Sequence, residues 1–74
     1  MPMHKRILEN IHALLDYNSV SKIKPERFTY FSKTFELTLQ ESENFLTGIE
    51  VPSPKLLKKI ADKFEVDLPW ILKN

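Results

Sequence analysis

One glycine in 74 residues, Gly48, leaves the chain few means of making the tight hairpins on which small sandwiches and barrels are built. Helices joined by short loops are what remains. Cysteine is absent, which excludes a disulfide framework and a thiolate metal site and fits a reducing, intracellular setting. Hydrophobic residues make up 42% and charged residues 28%, a globular balance rather than a disordered one. The length suits one domain spanning residues 1–74, small enough to gain stability from a partner. No apolar run approaches the length of a membrane span, and Met1–Arg6 leads into no signal-type apolar core.

Period and caps predict five helices. Ile7, Leu8, Ile11, Leu14 and Leu15 form one apolar stripe, so the first helix runs from about His4 to Tyr17. Residues 18–24 lack clean periodicity and read as a loop with Val20 and Ile23 turned inward. A second helix starts at Pro25, which suits a first turn because the N–H it lacks would be unpaired there. It carries Phe28, Phe31, Ser32 and Phe35 and ends near Glu36. Thr38-Leu39-Gln40-Glu41 is a capping box, and Gly48 is the terminator, so Leu39 to Thr47 is a short third helix. Ser53-Pro54 opens a fourth, with Leu56, Leu57, Ile60, Ala61 and Phe64 inward and Lys55, Lys58, Lys59, Asp62 and Lys63 outward. Asp67 is placed to cap a last helix over Leu68 to Lys73.

The second and third helices, joined by a tight turn, form a helix-turn-helix, whose use on DNA is geometric: the later helix enters the major groove while the earlier one braces it. The run from Gly48 to Leu72, with its Pro-Ser, Leu-x-Lys-Ile-Ala-Asp and Val-x-Leu-x-Trp-Ile-Leu elements, resembles phage-repressor and Cro-type domains. These are also called the xenobiotic-response-element family, and they share a lambda-repressor-like fold. Phe31-Ser32-Lys33-Thr34-Phe35 is similar to the core of that family's bracing helix, so the resemblance covers about Pro25 to Leu72. It implies a compact all-α domain of four to five helices that binds operator DNA. Departures from the family pattern are Glu36, where a glycine usually makes the tight turn, and Ser42, where a bulky apolar residue usually sits.

Carried over by position, the resemblance implies base contacts from Leu39, Gln40 and Asn44. The helical wheel agrees in part: Ser42, Phe45 and Leu46 centre the inward face, so Gln40, Asn44 and Thr47 point away from it. Gln and Asn can each contact adenine N6 and N7 bidentately, and Leu39 can meet a thymine methyl or join the core. Phosphate contacts are expected from Arg27, Lys33, Thr47 and Lys55, and from helix N-terminal amides. Related domains pair through their C-terminal region, which implies a homodimer interface at Leu68, Trp70, Ile71 and Leu72.

Charge tells against an easy reading. The net charge is only +1, and residues 25–47 hold four acidic against two basic side chains. The predicted recognition helix has no Lys or Arg, while Glu41 acts as a cap and Glu43 is either a solvated charge or an acceptor for cytosine N4. The five phenylalanines at helical spacing belong to the core. His4 and His12 lack ligand companions, so no metal, cofactor or small-molecule substrate is expected, and no nucleophile–base pair or phosphate loop suggests an enzyme. Two readings stand. One is a homodimeric transcriptional regulator on double-stranded DNA, cytoplasmic and nucleoid-associated, in a phage-switch or antitoxin setting. The other is a degenerate helix-turn-helix that acts as a protein-interaction module.

Overall fold

A computed structural model describes residues 3–73, with side chains from Lys5 onward; the expectation for His4 and the ends of the 1–74 span lie outside it. Among the described residues there are five α-helices and no strand: α1 (Met3–Tyr17), α2 (Lys24–Phe35), α3 (Leu39–Thr47), α4 (Pro54–Lys63) and α5 (Leu68–Leu72). The predicted all-α, five-helix architecture is therefore observed.

The start signals act as local chemistry requires. Thr38 Oγ1 accepts from the Glu41 amide at 3.0 Å while Glu41 Oε1 accepts from the Thr38 amide at 2.8 Å, which completes the capping box of α3. Ser53 Oγ accepts from the Leu56 amide at 3.2 Å and opens α4. Two start positions differ from expectation. Asp67 holds the N-cap position of α5 but makes no side-chain capping bond. The N-cap of α2 is Ile23, which has no acceptor to offer; its side chain is 58% exposed rather than tucked inward.

The four longer helices end alike. Ser19, Glu36, Gly48 and Glu65 each adopt the left-handed region, at φ between 57° and 87°. The next residue then sends its amide back five positions: Val20 to Leu15, Leu37 to Ser32, Ile49 to Asn44 and Val66 to Ala61. This is the Schellman closure, which satisfies carbonyls that a helix end leaves unpaired. Each following residue is apolar, and Val20, Leu37 and Val66 pack against the core. Ile49 does not, and is 70% exposed. Only one of the four positions is glycine, so three carry a backbone cost of about 1–2 kcal/mol each.

The core gathers one face from every helix: Ile7, Ile11, Leu14 and Leu15 from α1, Phe31 and Phe35 from α2, Leu46 from α3, Leu56, Leu57, Ile60 and Ala61 from α4, and Ile71 from α5. Phe35 meets Phe64 edge to face and Phe31 at a tilt, which joins α2 to the end of α4. α2 packs on α3 and α4, whereas α1 packs on α3 and α5. The Asn10 amide of α1 donates to the carbonyls of Ile71 (2.8 Å) and Lys73 (3.0 Å), which ties the two ends of the chain together. The radius of gyration, 11.1 Å, is what a compact chain of this length should show, about 11 Å.

Ser42 is fully buried on α3, and its Oγ has no hydrogen-bond partner among the described residues. Replacing it with alanine should therefore stabilise the protein by up to about 1 kcal/mol in chemical denaturation. Helix ends give a paired test. Glu36→Gly should gain roughly 0.5–1 kcal/mol, the relieved left-handed cost less the added freedom of the unfolded chain. Gly48→Ala should lose about 1–2 kcal/mol, because it takes on the left-handed cost at φ 87° and brings a new Cβ to 3.2 Å from Leu8 Cδ2.

Candidate nucleic-acid interface

α3 is nine residues long, about 13–14 Å at 1.5 Å per residue, close to the width of a DNA major groove at about 12 Å. Ser42 and Leu46 are buried against the rest of the molecule. Gln40, Glu43 and Thr47 are exposed on the other side, with Asn44 half-buried beside them. Leu39 is 57% exposed and so does not join the core.

The outward amides are already organised. Gln40 Nε2 donates to Asn44 Oδ1 at 2.9 Å, and Asn44 Nδ2 donates to Glu50 Oε1 at 2.7 Å. This relay fixes both amides and leaves Gln40 with a free Oε1 and one free N–H. Those are the acceptor and donor that a bidentate contact to adenine uses. Glu50 is marked by no local signal in the sequence as a partner of Asn44. It lies beyond Gly48, and only the reversal of the chain there turns its carboxylate back onto α3.

The four predicted phosphate contacts divide. Lys33, Thr47 and Lys55 are exposed. Lys55 borders a surface groove with Glu36 and Glu41 beside the first turn of α3. Arg27 is not available. It is 6% exposed, and its guanidinium is consumed inside the molecule. Nε donates to the Ser21 carbonyl at 2.9 Å, while Nη2 donates to the Val20 carbonyl at 3.0 Å and to Asp16 Oδ1 at 2.7 Å. Nη1 donates to His12 Nδ1 at 3.0 Å. Because Nδ1 accepts from arginine, the proton of the neutral ring sits on Nε2, which donates to the Leu46 carbonyl at 2.8 Å. Asp16, Arg27, His12 and Leu46 thus link α1, α2 and α3. The expectation that Arg27 meets a phosphate is corrected: its desolvated fork is a structural hub. His12 and Asp16, one helical turn apart on α1, were the sequence signal for it.

Lys22 and Lys24, which the sequence places in the loop before α2, are exposed. With His12, Arg27, Phe28, Leu46 and Thr47 they line a cleft of about 310 Å³ at the C-terminal end of α3. Basic side chains therefore flank α3 at both ends, Lys55 at the first turn and Lys22 and Lys24 at the last. The two lysines straddling Ile23 just before Pro25 were visible in the sequence, but their distance from α3 was not.

At the C-terminal region the predicted pairing surface is partly withdrawn. Ile71 is fully buried in the monomer core, so it cannot serve a dimer interface. Leu68 and Trp70 are half-buried and Leu72 is exposed. Trp70 is covered at its edge by Tyr17, with ring centroids 6.4 Å apart, and over its face by the Lys73 ammonium at 4.2 Å. No group of three or more potential metal ligands occurs among the described residues, and no described helix is long and apolar enough to cross a membrane. Compared with known proteins, the chain matches no protein-family model, no curated protein and no solved structure.

The Arg27 hub makes its own prediction. Arg27→Met leaves the Val20 and Ser21 carbonyls and the Asp16 carboxylate without donors, and should cost about 2–3 kcal/mol by urea denaturation. Arg27→Lys should recover little, since an ammonium cannot reproduce the fork. The Arg27 hydrogen bond holds the Asp16 carboxyl below its ordinary value of 3.8; partial burial opposes this, and the positive charges of Arg27 and Lys22 add to it. A depressed acid stabilises the fold fully above its unfolded value and loses that contribution as pH falls through the folded one. Stability should therefore decline as pH drops below about 3.8, and Asp16→Asn should flatten that acid limb in a series of denaturation curves.

Proposed function

We propose that this protein is a sequence-specific DNA-binding regulator of the Cro and repressor type, which presents α3 to the major groove with α2 as its brace. One observation carries the reading: α3 presents exposed Gln40 and Thr47 with half-buried Asn44 between them, and has lysines at both of its ends. A helix of that length laid in a major groove brings its two ends toward the two phosphate strands that border it. Gln40 and Asn44 read bases, with Leu39 against a thymine methyl. Lys33, Lys55, Lys22 and Lys24 supply charge, and Thr47 lies at the edge of the contact.

A second copy pairs through Leu68, Trp70 and Leu72, joined by the exposed Tyr17 beside Trp70. Dimerisation sets two half-sites about one helical turn apart, roughly 34 Å. The protein then belongs on the nucleoid, as a phage switch or an antitoxin.

A protein-interaction role is the second reading, and the charge around α3 favours it. Glu36, Glu41, Glu43 and Glu50 are all exposed near this helix, and α3 itself carries no basic residue. Selection of bound sites from random duplex DNA at two salt concentrations separates the two. On the DNA reading a palindrome is enriched. Gln40→Ala should cost about 1–3 kcal/mol at one base position, and Lys55→Ala should weaken all sequences while reducing the salt slope by about one. Glu50→Gln, which keeps an acceptor for Asn44 but removes a charge, should tighten binding several-fold at low salt. Absence of any enriched site, together with retention of a specific protein partner, would select the interaction role.

A further inference from the structure

The cleft at the C-terminal end of α3 has the chemistry of an anion site. It is lined by His12 from α1, by Lys22, by Lys24, Arg27 and Phe28 of α2, and by Leu46 and Thr47 of α3, with no carboxylate in its wall. Asp16 neutralises Arg27 from outside that wall, at 2.7 Å. Lys22 and Lys24 have no such partner: among the described residues no carboxylate comes within ion-pair distance of either. The cleft therefore carries two exposed ammonium groups that form no ion pair among the described residues, beside the apolar side chains of Phe28 and Leu46.

The remaining polar groups narrow the choice of ligand. Both His12 nitrogens are engaged, and Thr47 Oγ1 donates to the Glu43 carbonyl, so neither has a free proton to offer. Arg27 spends four of its five N–H groups on the protein. The free donors are the two ammonium groups, and charged donors of this kind suit an oxyanion. The volume of the cleft, about 310 Å³, is at the lower end of small-ligand sites.

We propose that this cleft binds a phosphate-type oxyanion on Lys22 and Lys24. The group comes either from a DNA backbone or from a free phosphorylated molecule, so the inference goes beyond the DNA-binding reading and does not fall with it. The first arm titrates the full chain with inorganic phosphate at fixed ionic strength and follows backbone amide shifts by NMR. Saturable shifts should centre on residues 22–28 and 46–47, and weaken at least tenfold in the double variant Lys22→Ala/Lys24→Ala. They should persist in Lys58→Ala/Lys63→Ala, which removes the same charge elsewhere. The second arm measures affinity for a selected duplex against salt. A fall of about two in the salt slope for the first double variant alone identifies the backbone as the source. Lost phosphate shifts with unchanged DNA binding identify a free anion. If the cleft variant matches the control in both arms, or if phosphate shifts nothing locally and the slope does not change, the site is overturned. Should the wild-type chain bind no duplex, the DNA reading fails and the phosphate arm decides the cleft alone.

Discussion

Arg27 is the interaction on which the arrangement of the three N-terminal helices depends. α1 and α2 each pack on α3, and the guanidinium spans the region between them. It ties down the 18–23 connection through two carbonyls, pairs with Asp16, and sets the tautomer of His12, which holds the last turn of α3. A buried arginine is tolerable only when nearly every donor is satisfied, and here four of the five are. The orientation of the exposed face of α3 is therefore coupled to a polar network on its hidden side, and not to apolar packing alone.

Turn chemistry explains why a chain so poor in glycine can still make short, abrupt helices. Left-handed ends at Ser19, Glu36 and Glu65 cost backbone energy that glycine would spare, and the apolar residue that follows each one recovers part of it by packing on the core. Glu36 matters most, because the turn it makes sets how closely α3 follows α2. Glycine would make this turn without strain, and with glutamate it forms at greater local cost. Gly48, the one glycine, stands where Leu8 leaves little room for a side chain, so steric as well as torsional reasons hold it there.

Charge gives the candidate interface an unusual balance. Acidic side chains surround α3 while the positive groups lie at its ends, so attraction for a polyanion is concentrated at two flanks. Glu50 plays two parts, orienting Asn44 through a 2.7 Å bond and opposing any phosphate brought near it. In the proposed DNA-binding role, such an arrangement would favour selectivity over raw affinity. An amide that is already oriented loses less freedom on meeting a base, whereas the surrounding carboxylates weaken non-specific attachment.

Local signals in the sequence determined the helices, the caps of α3 and α4 and the inward stripes, because hydrogen bonds within four or five residues and a 3.6-residue period leave few alternatives. The capping box at Thr38, the stop at Gly48 and the outward place of Gln40 are all of this kind. Only the tertiary structure decided which charges are free. Arg27 and Lys24 sit three residues apart on one helix, yet one is buried and bonded to Asp16, His12 and two carbonyls while the other is exposed with no ion-pair partner among the described residues. Burial, ion pairing and the meeting of residues 22–24 with the end of α3 are non-local, set by how the helices pack. Neither composition nor spacing carries that information.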